Sequence, residues 1–69
     1  MQYIVRADFY PEGQIVPIGV TDANGNSVFI KSIQKSSRGP DQEHIIICDT
    51  NKGLCTLVFK NNRWSVSFD

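Results

Sequence analysis

The chain has 69 residues, with seven Lys and Arg against seven Asp and Glu, so its formal net charge is zero at pH 7. This balance excludes a strongly basic nucleic-acid arm and an acidic mimic tail. The length leaves room for one domain, residues 1–69. Apolar residues make up 41% of the chain, enough for a thin core that supplies roughly 3–5 kcal/mol of stability.

No segment of the sequence predicts a membrane span. The longest uninterrupted apolar run is Ile45–Cys48, far short of the ~20 residues that a spanning helix needs. No basic segment followed by an apolar stretch opens the chain, so we expect no signal peptide. These features predict a soluble, cytoplasmic protein.

Period-two alternation and β-branched or aromatic residues dominate the whole chain, which is typical of half-buried strands. Glycine and asparagine fall at turn positions about every ten residues, the spacing found in small barrels and sandwiches. We predict an all-β fold: a single small antiparallel barrel or strongly curved sheet, built as a meander of hairpins. Its six strands are expected at about 2–10, 14–21, 27–34, 43–49, 54–60 and 63–68.

The first two turns differ in how clearly the sequence specifies them. Pro11 and Gly13 suit a type I turn with a glycine bulge, but a two-residue Glu12-Gly13 loop gives better apolar pairs, and we adopt it. It pairs Phe9 with Val16, Ala7 with Ile18 and Val5 with Val20. In the second hairpin, a three-residue loop at 23–25 pairs Val20 with Val28 and Ile18 with Ile30.

The second half of the chain contains one long polar segment and two short turns. Residues 35–42 include Gly-Pro and predict a long, mobile loop. A turn at 50–53 pairs Cys48 with Cys55 and Ile46 with Leu57. Asn61-Asn62 predicts a two-residue type I′ turn, because asparagine tolerates positive φ.

The turn at Asn61-Asn62 determines the register of the C-terminal hairpin. It pairs Phe59 with Trp64, Leu57 with Val66 and Cys55 with Phe68 on an apolar face, so we expect Trp64 to be largely buried. The opposite face is mostly polar and holds three further pairs: Lys60 with Arg63, Val58 with Ser65 and Thr56 with Ser67.

Three short motifs occur together: Gly13-Gln14-Ile15-Val16-Pro17, the Asn24-Gly25 turn, and Asn62-Arg63-Trp64 near the end of the chain. With these motifs the chain resembles a family of short uncharacterised proteins from Gram-positive bacteria, often encoded on conjugative or other mobile elements. The resemblance covers nearly the whole chain. It implies a small β-barrel or curved sheet and provides no catalytic residue.

The sequence contains little that predicts enzyme chemistry. His44 is the only histidine, which excludes two-histidine metal sites. It lies roughly 13 Å along the strand from Cys48, too far for proton transfer. The glycines are scattered, so there is no phosphate-binding loop, and the carboxylates form no pair in an apolar setting. We therefore predict no catalytic, cofactor-binding or metal site, no small-molecule substrate and no enzyme activity.

Cys48 and Cys55 are expected to face each other across adjacent strands. Two alternatives stay open for this pair: small buried hydrophobes kept reduced in a cytoplasm, or a strained, redox-labile cross-strand disulfide.

A run of three isoleucines points to a surface for protein contact. If Ile46 faces the core, Ile45 and Ile47 face outward, and Ile45 pairs with Val58. Outward aliphatic residues on neighbouring strands form a patch that monomers usually avoid. Our leading hypothesis is a non-enzymatic interaction module that forms a homodimer or binds a protein partner through Ile45, Ile47 and Val58.

The alternative hypothesis is a nucleic-acid-binding small barrel that serves a mobile element. Small barrels often present a sheet face and loops to single strands. The basic residues available for phosphate contact lie near the long loop and the final turn: Lys31, Lys35, Arg38, Lys60 and Arg63. The zero net charge makes this hypothesis the second choice, because phosphate neutralisation needs a concentrated basic surface.

Overall fold

The computed structural model describes residues 3–69 and confirms the predicted all-β class. Six antiparallel strands follow one another in a single sheet, ordered β1 to β6, which curls strongly into a half-barrel. The strands are β1 (Ile4–Phe9), β2 (Ile15–Thr21), β3 (Ser27–Arg38), β4 (His44–Thr50), β5 (Gly53–Lys60) and β6 (Arg63–Phe68). Residue 2, where the first predicted strand begins, lies outside the described residues. Residues 3–69 contain no helix with the length and apolar character needed to cross a bilayer.

The last three strands pair as the sequence predicts. Cys48 lies opposite Cys55 and Leu57 opposite Val66. All the predicted pairs of the C-terminal hairpin are present, from Cys55↔Phe68 to Lys60↔Arg63. Asn61 and Asn62 both have positive φ, 53° and 61°, as a type I′ turn requires.

The first hairpin differs from the prediction by one residue over half of its length. Its loop has three residues, 11–13, closed by a hydrogen bond from the Tyr10 amide to the Gln14 carbonyl at 2.9 Å. Phe9 therefore pairs with Ile15 and Ala7 with Pro17, and the predicted Phe9–Val16 and Ala7–Ile18 pairs are wrong. The type I turn with a glycine bulge is the form that occurs.

A bulge at Ile18 returns the first hairpin to the predicted register. The shift between Arg6 and Ala7 leaves Ile18 without an opposite residue and restores the Val5↔Val20 pair. In the second hairpin the loop at 23–25 and the Val20↔Val28 pair are confirmed. The Ile18–Ile30 pair does not form, because pairing of β2 with β3 stops at Gly19↔Phe29.

Strand β3 runs to Arg38, so the predicted long loop at 35–42 is wrong. Two register shifts against β4 explain why the alternation was not recognised. The residues opposite the core positions of β4 are Ile30, Ile33 and Ser36, and each spacing of three holds one bulged residue. Only a short turn remains before β4, closed by a hydrogen bond from the Gly39 amide to the Glu43 carbonyl at 3.0 Å.

The core lies on the concave side of the curled sheet. Its most buried side chains are Val20 of β2 and four residues of β4 and β5: Ile46, Cys48, Cys55 and Leu57. Trp64 packs against this cluster, and the larger part of its surface is buried. The remainder stays exposed because β6 is the edge strand of the sheet in residues 3–69.

Candidate functional site

The outward residues of β4 and β5 form a small apolar patch. Successive side chains of a strand point to opposite faces, and Ile46 and Cys48 are fully buried. Ile45 and Ile47 therefore lie on the convex side, where Val58 lies directly opposite Ile45. We call the convex side of β3–β6, centred on Ile45, Ile47 and Val58, the isoleucine face.

The three aliphatic side chains of the isoleucine face are half-buried. Their neighbours on the same face shield them partly, since Thr56 lies opposite Ile47 and Ser37 opposite Ile45. Residues 35–38, expected in a loop that could cover the patch, belong to β3 and lie beside it in the sheet. Each aliphatic side chain thus keeps part of its surface in water.

The register brings three of the five predicted basic residues onto the isoleucine face. Lys35 lies opposite Ile47, and Lys60 lies opposite Arg63 at the end of the β5–β6 hairpin. The Lys60 Nζ donates a hydrogen bond to the Asp41 carboxylate at 3.1 Å, which raises the pKa of Lys60. The apolar centre is therefore bordered by cations on two sides.

The other two basic residues occupy different positions. Arg38 lies opposite His44, a concave-side position, and Lys31 lies in the bulge between Ile30 and Ser32. The five residues proposed for nucleic-acid contact are therefore divided between different parts of the sheet.

Arg38 begins a row of cationic and aromatic groups across one end of the concave side. The register continues from Arg38 to His44, Phe59 and Trp64. Ring centroids lie 6.5 Å apart for His44–Phe59 and 4.8 Å for Phe59–Trp64, and Phe9 of β1 approaches Phe59 at 5.5 Å. Burial lowers the pKa of His44, as does the charge of Arg38. The predicted pairing of Phe59 with Trp64 already contained half of this row, and the register of β3 adds Arg38 to it.

The two cysteines are sealed in the core as free thiols. The Cys48 Sγ–H donates a hydrogen bond to the Cys55 carbonyl oxygen at 3.5 Å. Burial raises the pKa of both thiols, that of Cys55 to about 11. Because the thiolate is the reactive form, these residues act as packing groups at neutral pH.

A second group of exposed apolar residues, which was not predicted, lies on the convex side of β1–β3. Ile4, Ile18 and Phe29 are all exposed there. Phe29 could have been found from the predicted Val20–Val28 pair, since its neighbour in sequence must then point outward. Ile18 could not, because only the bulge turns it away from the core.

Comparison with known proteins adds no relative: no family model matches the chain, and no curated protein or solved structure is significantly similar to it.

Proposed function

We propose that this protein is a non-enzymatic interaction module that binds an acidic, partly apolar surface of another protein through the isoleucine face. The observation that carries the proposal is the contiguous patch of Ile45, Ile47 and Val58 on two central strands. Burying such side chains in an interface contributes on the order of 1.5–3 kcal/mol each. That gain is comparable to the whole stability of a domain of this size.

The charges beside the patch favour a different protein over a second copy. Lys35, Lys60 and Arg63 share the isoleucine face with Asp49, and Lys60 is paired with Asp41. Two copies packed through this face would bring Lys35 and Arg63 of one copy toward the same cations of the other, which opposes association. A partner with Asp and Glu around an apolar centre complements the face in both charge and polarity.

The reactive groups of the chain support a role without catalysis. Both thiols are buried with raised pKa values, so neither supplies a nucleophile at neutral pH. His44 packs against Phe59 and lies beside Arg38, a setting that stabilises its neutral form. The free thiols fit a reducing compartment, and we propose that the protein acts in the cytoplasm.

A selection from a random-peptide display library tests this proposal. Immobilised wild-type protein is used for selection, and the Ile47→Lys variant is used for counter-selection. We expect the enriched peptides to combine acidic with aliphatic or aromatic residues, and to bind Ile47→Lys at least tenfold more weakly. Ile4→Lys is the matched control, because Ile4 is an exposed strand residue on the other convex surface, and it should keep wild-type affinity.

Charge reversal sharpens the same experiment. Lys35→Glu should weaken binding of the selected acidic peptides and strengthen binding of versions in which Asp and Glu are replaced by Lys. Peptides that lack acidic residues, or that bind Ile47→Lys and wild type equally, would refute the proposed site. Folding of each variant is checked by its urea transition.

Nucleic-acid binding stays the second candidate, and one observation favours it. Arg38 lies in register with His44, Phe59 and Trp64. Proteins bind single-stranded nucleic acid by stacking its bases on aromatic side chains that lie beside cationic groups. Titration with labelled single- and double-stranded DNA at two salt concentrations tests it. Affinity that falls steeply with salt and is lost in an Arg38→Ala, Lys31→Ala variant would favour this candidate over the peptide-binding function.

A further inference from the structure

The convex side of β1–β3 carries three large apolar side chains that are exposed to water and do not belong to the core. Phe29 is 69% exposed, Ile4 66% and Ile18 51%. The backbone of Phe29 is held firmly, because its amide donates to the Asn51 side-chain oxygen at 3.0 Å and its carbonyl accepts from the Asn51 amide at 3.3 Å. Its ring therefore projects outward from a fixed point of the sheet.

Gly19, opposite Phe29, follows the bulge at Ile18. Its φ lies outside the left-handed region, and an added Cβ would meet only the Val28 carbonyl oxygen, at 3.4 Å. Glycine inside a strand marks either a bulge or a place where another molecule approaches the backbone closely. Because Gly19 carries no side chain, the surface above its backbone is open to such an approach.

Gly19 forms the floor of a slot with one wall on each side. Arg6 of β1 and Phe29 of β3 both lie directly opposite it, and the cavity above it measures about 240 Å³. Strands two positions apart are separated by roughly 9.6 Å, which leaves room for one flat ring between the guanidinium and the phenyl group. Ligand pockets are usually larger, about 300–1,000 Å³, so the slot fits a single side chain.

We propose that this glycine slot binds Phe29 of a second copy of the chain. The projecting Phe29 ring on β3 and the slot at Gly19 on β2 lie side by side. A two-fold axis that passes between them therefore places the ring of each copy over the slot of the other. With the axis between β2 and β3 and parallel to them, each Phe29 ring lies over Gly19 of the other copy. The inserted ring then stacks against the resident Phe29 and receives a cation–π contact from Arg6.

The size of the surface predicts a weak dimer. Three strands of about six residues cover roughly 14 Å by 20 Å, below the ~800 Å² that each partner of a standard interface buries. Association is therefore expected in the micromolar to millimolar range of protein concentration, where sedimentation equilibrium and NMR dilution series measure it.

Sedimentation equilibrium of the whole chain tests the proposal with two complementary variants. Phe29→Ser removes the ring and Gly19→Val fills the slot, and each should raise the dimer dissociation constant at least tenfold. Leu54→Ser is the matched control, an exposed residue of β5 that should change nothing. If Gly19→Val fails to fold, Gly19→Ala, which adds only the Cβ considered above, replaces it.

Mixing the two variants provides the strictest outcome. Phe29→Ser keeps Gly19 and the Arg6 wall of the slot, and Gly19→Val keeps a ring, so a mixture restores one ring over Gly19 beside Arg6 and should associate more strongly than either variant alone. A monomeric wild type at millimolar concentration, or a dimer insensitive to both substitutions, would overturn the proposal. A dimer lost in Ile47→Lys but retained in Phe29→Ser would place the dimer interface on the isoleucine face and overturn the proposal. Peptide binding to the isoleucine face is a separate measurement, so the two proposals can fail independently.

Discussion

Strands β4–β6 and strands β1–β3 differ in the regularity of their pairing. The first group pairs from end to end without a register shift, whereas β1–β2 has one shift and β3–β4 has two. Four of the five most buried side chains belong to β4 and β5, whereas β1–β3 contribute only Val20 to this group and expose Ile4, Ile18, Phe29 and Ile33.

The bulges change which side chains reach the core. Strict alternation lets one face of β4 and β5 fill the core, while the other face of the same strands carries Ile45, Ile47 and Val58. A bulge turns a residue that would have been buried toward water, as at Ile18. The regular strands therefore provide both most of the core and the isoleucine face, and the bulge in β2 adds one exposed aliphatic residue to the other convex surface.

The largest expected difference between the two halves is the loss of stability when one aliphatic side chain is truncated in each. Leu57→Ala should lose about 2–5 kcal/mol, because Leu57 is fully buried and leaves a cavity. Ile18→Ala should change stability by less than about 0.5 kcal/mol, since Ile18 is half in water. Urea unfolding followed by Trp64 fluorescence measures both. Similar losses in the two variants would show that β2 contributes to the core as much as β5.

The same contrast explains how much of the structure the sequence predicted. Period-two alternation and the asparagine turn were sufficient for every pair in the C-terminal hairpin, and for the position of Ile45 and Ile47 on the convex side. Alternation fails where a bulge adds a residue, so Ile30, Ile33 and Ser36, each three residues apart, did not indicate one continuous strand. The predicted Val5–Val20 and Val20–Val28 pairs already imply that Gly19 lies between Arg6 and Phe29, whereas the exposure of Ile18 beside it depends on a bulge.

The residues of the candidate sites were also predictable individually, but their grouping depends on the strand register. Lys35, Lys60 and Arg63 were named as basic residues, but only the register shows that they share a face with Ile47. The first turn was missed for a different reason: apolar pairing favoured a two-residue loop, whereas the turn chemistry of Pro11 and Gly13 determined the conformation.

The second prediction places the pH sensitivity of the fold in the regular strands. The pKa of Cys55 is raised by burial from 9.0 to about 11, so between these values the unfolded chain loses a proton that the folded chain keeps. The contribution of the protonated Cys55 thiol to the free energy of unfolding is therefore fully present below pH 9. It decreases as pH rises toward 11, by on the order of 2 kcal/mol. Urea midpoints measured across this range should fall for wild type.

Replacement of the two thiols provides the control for the pH experiment. A Cys48→Ala, Cys55→Ala variant is less stable at every pH because of the lost packing, but its midpoint should depend less on pH between 9 and 11. Equal slopes for variant and wild type would assign the alkaline sensitivity to other groups, such as the lysines.

The smallest predicted effect concerns two turns, one in each half of the molecule, that have the same pattern of backbone hydrogen bonds. In the loop that follows β2, the Asp22 amide donates to the Asn26 carbonyl and the Gly25 amide to the Asp22 carbonyl. In the loop before β4, Gly39 donates to Glu43 and Gln42 to Gly39. The fourth residue has positive φ in both, 85° for Gly25 and 63° for Gln42.

A reciprocal exchange tests whether backbone conformation alone decides the stability of these turns. A left-handed conformation costs an ordinary residue roughly 1–2 kcal/mol, partly offset by the lower chain entropy of a non-glycine residue when unfolded, about 0.4–1 kcal/mol. Gln42→Gly should therefore stabilise the protein by about 0.5–1 kcal/mol, and Gly25→Gln should destabilise it by a similar amount. Steric hindrance does not complicate the second variant, because a Cβ at Gly25 has no atom within 4 Å. A Gln42→Gly variant with a lower urea midpoint than wild type would show that the Gln42 side chain itself stabilises the turn.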